Sequence, residues 1–325
     1  MINAYRSSGE AVVLAASQPL ETLPDDIVWL DLVHPDRDEE RTLERLLAIE
    51  VPTREDLKDI EPSSRLYVED GAVFMTASLL WRADADVPEL ADIAFILVNG
   101  RLVTVRYAEP KSFGLFISSL HRSAAPCRSG AALLAHLLET IVDRTAEILE
   151  GLVARLDSLS LQVFGDKSRT KRRTTGYLEE RLIDIAGHHR LVGKARDSLT
   201  SLSRVLSFLT AVPAVQNDPD SKQLCRTISR DIQSLSEHAS FVAGNITFLL
   251  DASLGLINVE QNAIIKIFSI ASVVFLPPTL VASIYGMNFQ LMPELGWTYG
   301  YPASLAVMVV SAIVPFYIFR WKGWL

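Results

Sequence analysis

Ten positions follow one another at alternating steps of four and three residues: Asp251, Gly255, Asn258, Asn262, Ile265, Ser269, Ser272, Leu276, Thr279 and Ser283. Eight of the ten are small or polar. Such steps make a 3.5-residue repeat, which puts all ten on one seam of a helix packed in a supercoiled bundle. The residues beside the seam, among them Ile264, Ile267, Phe268, Ile270, Val273, Val274, Phe275, Leu280 and Val281, are large and apolar. A soluble coiled coil has the reverse pattern. Two uses fit the stripe. Small residues let helices approach closely in lipid, with hydroxyls bonded back to the backbone. In the second use, symmetry copies gather the stripe around an axis, where it lines a water-filled path. Close packing has no need of a carboxylate and two amides in register, so Asp251, Asn258 and Asn262 favour the path.

The chemistry of that wall is oxygen chemistry. Hydroxyls, amide carbonyls and one carboxylate suit hard cations such as Mg²⁺. No His or Cys lies on the stripe, which argues against a dehydrated soft-metal site. Mg²⁺ gives up water reluctantly, so amide oxygens would hold the hydrated ion through its waters. Ile265 and Leu276 would form apolar rings, which gate by dewetting. Elsewhere, His188-His189, His136 with Glu139, Asp231 and the run ADADVPELAD (83–92) could meet a metal, but such pairs and charge runs are usually solvated surface. There is no nucleophile–base pair, phosphate loop or basic patch, so neither an enzyme nor a nucleic-acid partner is expected.

The elements that must position the stripe follow from the distribution of charge. The chain has 325 residues and a formal net charge of −8. Almost all of that charge precedes Ile267; from there to Phe319 the only formal charge is Glu294. Residues 267–285 and 303–319 are uncharged, and a helix of roughly 20 apolar residues crosses a bilayer. The second run reaches that length with Tyr299 to Pro302 at the interface. Lys266, Arg320 and Lys322 flank the two spans and the connecting loop has no Lys or Arg, which puts both termini in the cytoplasm. Trp297, Tyr299, Tyr301, Trp321 and Trp324 stand where an aromatic belt would. The opening MINAYRSSGEAVV does not read as a signal peptide. Cys127 and Cys225 imply no disulfide framework, which suits a reducing compartment.

The fold class expected is an α+β cytosolic domain with long helices, joined to a two-helix membrane region. Residues 1–130 read as the α/β domain, with strands near 26–32, 65–70, 72–81, 92–98 and 101–107, and a capped helix at 35–50. Residues 131–262 read as a long-helix stalk with leucines at helical spacing. Then come a first membrane helix (263–285), an extracytoplasmic loop (286–301), a second membrane helix (302–320) and a short tail (321–325). From Ser221 no proline occurs before Pro277, so one helix can run into the membrane. Its length demands neighbours, hence a bundle or an oligomer.

Tyr285-Gly286-Met287-Asn288-Phe289, followed by Met292-Pro293-Glu294-Leu295, resembles the signature of the CorA family of magnesium channels. The run 257–289 is similar to that family's first membrane helix, as is the ending FRWKGWL. The resemblance implies a homopentamer in the bacterial inner membrane, with the first helix lining the pore above a cytosolic funnel. It implies uptake of Mg²⁺, with Co²⁺ and Ni²⁺ as surrogates, driven by the membrane potential and closed by intracellular Mg²⁺. Gly286, Met287 and Asn288 would form the selectivity filter, with Asn288 ringing the outer mouth and Gly286 ending the helix where a side chain would obstruct the turn. Asn262, Thr279 and Leu276 fall at pore-facing and gating positions, and Asn288, Thr279 and Asn262 would meet the ion. Glu294 would concentrate cations at the mouth. The alternatives are a zinc transporter of the same superfamily and a membrane-anchored sensor or scaffold without transport.

Overall fold

The computed structural model describes residues 1–14, 22–59, 61–123, 125–164, 175–288 and 292–323. The chain forms two compact units, Met1–Arg172 with Glu179–Leu250, and Arg173–Leu178 with Asp251–Leu325.

The first unit is built on a seven-stranded sheet: β1 (Ile2–Arg6), β2 (Ala11–Leu14), β3 (Ile27–Val33), β4 (Leu66–Glu69), β5 (Ala72–Trp81), β6 (Glu89–Val98) and β7 (Arg101–Arg106). The order is β2-β1-β3-β7-β6-β5-β4. Only β3 and β7 run parallel. Asn99 and Gly100, then Asp70 and Gly71, have φ of 49°, 76°, 48° and 77°. Two consecutive positive φ values match the right-handed strand twist, so each pair closes a tight hairpin. Strands β1 and β2 were not expected from the sequence.

Successive side chains of a strand point to opposite faces. Ile93, Phe95 and Leu97 of β6 therefore enter one core, and Ala94, Ile96 and Val98 enter another. The second core is covered by α1 (Arg37–Leu47) through Leu43 and Leu47. Asp36 caps this helix, accepting from the N–H groups of Asp38 and Glu39 at 3.0 and 2.8 Å, while Glu39 accepts from Asp36 N–H at 3.1 Å. A single turn, α2 (Pro62–Arg65), precedes β4.

The first core lies under α3 (Lys111–Leu120), α4 (Gly130–Phe164), α5 (Thr175–Leu209), the single turn α6 (Pro213–Gln216) and the first half of α7 (Pro219–Tyr285). The leucine spacing expected of the stalk is what packs: Leu134, Leu138, Leu152, Leu156 and Leu159 from α4 meet Leu199, Leu202, Leu206 and Leu209 from α5 in one cluster. Gly130 starts α4 hard against the sheet. Its N–H donates to Gly100 O at 2.8 Å, and a Cβ there would lie 2.3 Å from the carbonyl carbon of Arg101. Beyond Met75, β4 no longer pairs with β5. Helix α5 covers that open edge, with Ser201 Oγ accepting from Ser78 N–H at 2.9 Å and Ser198 Oγ from Leu80 N–H at 3.2 Å. Inside the same core, Arg106 donates to both carboxylate oxygens of the fully buried Asp31, at 2.9 and 2.8 Å. Thr104 Oγ1 also donates to Asp31, at 2.7 Å, and accepts from Trp29 Nε1 at 3.0 Å.

The second unit holds α7 from Asp251 onward, a 3-10 turn (Pro293–Gly296) and α8 (Gly300–Trp321). Helices α7 and α8 are each long and apolar enough to cross a membrane.

Candidate functional site

Helix α7 runs for 67 residues and carries Pro277 and Pro278 without a break. At 1.5 Å per residue it is about 100 Å long. Tandem prolines remove two backbone donors, so the carbonyls of Val273 and Val274 have no i+4 partner in the helix.

All ten stripe residues, from Asp251 to Ser283, are exposed in the single chain. The large apolar members are the most telling, with Ile265 at 61% and Leu276 at 64% exposure. From Gln261 to Ser283 the partly covered residues are Ile270, Ala271, Val274, Pro277, Pro278 and Val281. They form the side turned to α8, where Pro277 shares an apolar cleft with Ala306, Val307, Val310, Val314 and Pro315. At about 100° per residue, the stripe centres roughly opposite this side. The polar seam therefore faces away from the chain's own second membrane helix.

Two stripe hydroxyls are bonded back to the helix. Ser272 Oγ donates to Phe268 O at 2.9 Å, and Thr279 Oγ1 donates to Phe275 O at 2.7 Å. With the proton committed internally, each oxygen is left with lone pairs for an outside donor.

The helix closes with Gly286 N–H donating to Ala282 O at 2.9 Å and Met287 N–H to Ile284 O at 3.3 Å. Gly286 is not among the glycines with positive φ. A Cβ there would stand 3.1 Å from Ala282 O, a tight approach. Met287 and Asn288 are exposed beyond the helix end. Phe289, Trp324 and the side chain of Glu294 lie outside the described residues. Trp297 and Tyr299 meet edge to face at 6.3 Å before α8, and Trp297, Tyr299, Tyr301 and Trp321 are all exposed.

In the first unit, several of the residues considered for metal binding have other partners. Asp84 is paired with Lys111 at 2.6 Å and Asp92 with Arg65 at 3.1 Å. His136 meets Glu139 at 3.2 Å. Burial and the charge of Arg155 hold the His188 pKa below the ordinary value. Asp231 lies near Asp143, whose carboxyl pKa is raised by burial first and then by Glu139, Asp231 and Glu147. Among the described residues, no three His, Cys, Asp or Glu side chains gather closely enough to hold a metal ion. The sequence reading missed the Asp31–Arg106 network, whose members are 75 residues apart with no local pattern to join them.

A family model described as CorA-like Mg²⁺ transporter protein matches residues 24–321. A magnesium transport protein CorA from Pasteurella multocida is 35% identical over 329 aligned positions, covering 100% of both chains. One from Escherichia coli is 35% identical over 95% of this chain and 94% of its own. Among solved structures, the complete CorA magnesium transporter from Methanocaldococcus jannaschii matches with a TM-score of 0.75 at 22% identity, covering 100% of this chain and 99% of that one. The chain belongs to the CorA family.

Proposed function

From its membership of the CorA family, we infer that this chain carries Mg²⁺ across the bacterial inner membrane as a homo-oligomer, and not as an enzyme. The observation that carries the reading is the exposed polar seam of α7, turned away from α8 and ending in Gly286-Met287-Asn288. A seam of oxygen acceptors turned away from the chain's own α8 has a use when copies of the chain surround an axis. The assembly proposed is a pentamer, with α7 lining the path and α8 outside it. Both termini are then cytoplasmic, since Lys266, Arg320 and Lys322 flank the spans.

Conduction needs little chemistry beyond orientation and charge. Hydrated Mg²⁺ presents water protons, and Asn258, Asn262, Ser269, Ser272, Thr279, Ser283 and Asn288 offer oxygens to accept them. Met287 and Gly286 hold Asn288 at the helix end, and Asp251 adds a carboxylate ring below the span. Glu294 would draw cations to the mouth. Leu276 and Ile265 supply rings without hydrogen-bonding groups, where water is unstable. An inside-negative potential supplies about 2.3 kcal/mol per charge per 100 mV, so roughly twice that for a divalent ion. Closure by intracellular Mg²⁺ belongs to the same proposal.

Mg²⁺ uptake into proteoliposomes under an inside-negative potential, without ATP, tests the reading, with Co²⁺ and Ni²⁺ as surrogates. Zn²⁺ uptake with a strict proton requirement and no Mg²⁺ flux would indicate a zinc transporter instead. Well-assembled oligomers that carry no ion would indicate a membrane-anchored sensor or scaffold.

A further inference from the structure

The prolines inside the two membrane helices are Pro277 and Pro278 of α7 and Pro315 of α8. Pro277 and Pro315 line the same cleft, of about 540 Å³. Each proline removes the N–H that would bond the carbonyl four residues back, and its ring presses on that carbonyl. Val273 O and Val274 O in α7, and Ser311 O in α8, are the carbonyls concerned. Side-chain hydroxyls act on the same turns. Phe275 O accepts from Thr279 Oγ1 at 2.7 Å, and Met308 O accepts from Ser311 Oγ at 2.8 Å. Such back-bonding loosens and bends a helix. In a bilayer no water takes the place of a lost backbone bond. Both helices are thus loosened where they face one another across the cleft.

The direction of bending follows from where the prolines sit. Pro277 and Pro278 are partly covered, on the side of α7 turned to α8, while Leu276 and Thr279 of the stripe are exposed on the other side. A helix bends in the plane that contains its missing bonds, and here that plane runs through the stripe. Leu276 stands at the joint, and Thr279, Ser283 and Asn288 lie beyond it. The cleft gives the helices room to move. Its walls, among them Ala306, Val307, Val310 and Val314, are apolar, and apolar contacts have no preferred direction to break.

We propose that Pro277, Pro278 and Pro315 form a paired hinge that positions the ring of Leu276 side chains. Bending of α7 at residues 273–278 swings Thr279 to Asn288 in a plane that contains the ion path, and so changes the width of the path at Leu276. Helix α8 bends at Pro315 with it, as the cleft between the two opens or closes. The prolines touch no ion. They are positioning residues that act through Leu276, and the hinge rests on the reading of the stripe as the ion path.

Mg²⁺ uptake into proteoliposomes, at low and at high internal Mg²⁺, is measured beside thermal unfolding for full-length samples that elute as intact oligomer. Pro277→Ala with Pro278→Ala supplies both missing donors. It is expected to raise the unfolding temperature. Uptake at low internal Mg²⁺ should fall by about tenfold, because each restored backbone bond shifts the bent–straight equilibrium several-fold. Pro315→Ala changes both quantities in the same direction, and the triple variant falls short of the summed effects, since the paired helices act as one joint. Pro277→Gly with Pro278→Gly restores the N–H groups but leaves a backbone that bends easily. It unfolds at a lower temperature than the Ala pair and carries Mg²⁺ better than it. If the prolines only pack, flux follows stability and the Gly pair is the poorer carrier. That order, or unchanged uptake by the Ala pair at both Mg²⁺ levels, would overturn the hinge. A wild type that carries no ion would overturn the conduction reading itself, and the hinge with it.

Discussion

Thr279 Oγ1 donates its hydrogen bond to the carbonyl oxygen of Phe275 at 2.7 Å, one turn back along α7. The hydroxyl proton is thereby removed from the exposed side of the helix, and the oxygen meets the outside as an acceptor only. A hydrated cation offers donors, so this orientation serves it. Thr279→Ser keeps the oxygen and is expected to keep Mg²⁺ uptake. Thr279→Val keeps the shape and loses the acceptor, which should lower uptake per oligomer by about tenfold. Equal uptake by the two variants would remove Thr279 from the path.

Leu276 separates a gate from a packing residue. It is 64% exposed and lies on the stripe, away from the cleft that Pro277 shares with α8. In a ring of copies, Leu276→Ser should wet the constriction and raise flux at high internal Mg²⁺. If Leu276 instead packs between helices, the buried hydroxyl costs about 1–3 kcal/mol and lowers the yield of oligomer. Flux at high internal Mg²⁺, normalised to oligomer by gel filtration, distinguishes the two.

Asn288 stands just beyond the end of α7 at Tyr285 and is exposed. Its amide oxygen can accept from the waters of Mg²⁺. Asn288→Ala should abolish selective uptake and leave the oligomer intact. Retained Mg²⁺ selectivity in that variant would move the filter elsewhere.

Glycines of the first unit give a stability test with opposite outcomes. A Cβ at Gly130 would meet backbone atoms of Arg101 and Leu102 at 2.3 and 2.5 Å, and backbone cannot rotate away. Gly130→Ala should destabilise by about 3 kcal/mol. Gly114, inside α3, has nothing within 4 Å of its would-be Cβ. Gly114→Ala should stabilise slightly, by up to about 1 kcal/mol. Thermal unfolding of the full chain followed by near-ultraviolet circular dichroism checks both signs.

What could be read from the sequence was local or periodic. Strands β3 to β7 announce themselves by runs of Val, Ile and Phe between turns, and Asp36 with Glu39 forms a capping box visible as a four-residue pattern. The 3.5 repeat of α7 was equally plain. Strand β1, five residues with an Asn and an Arg, lacks that signal and forms by pairing with β3, while the edge strand β2, Val-rich but only four residues long, forms by pairing with β1. Helix α3, rich in Ser and with no charge after Lys111, is held by burying Phe113 and Phe116 against Trp29. The Ser198 and Ser201 contacts to β5 span 118 and 123 residues, and nothing near those serines marks them as edge caps. The stripe was legible, but its direction was not, because that depends on where α8 lies.

The most direct test of the central claim is accessibility along α7 during flux. Cys127 and Cys225 are buried, and burial raises the pKa of Cys225 to about 11. At pH 8 its thiolate fraction is about one in a thousand, so background labelling is low. Mg²⁺ uptake into proteoliposomes is measured for Ser272→Cys, on the stripe, and Val274→Cys, on the α8 side, before and after a cationic thiosulfonate reagent. The account predicts that modification blocks uptake through Ser272→Cys and leaves Val274→Cys unchanged. Block at Val274→Cys with Ser272→Cys untouched would contradict it.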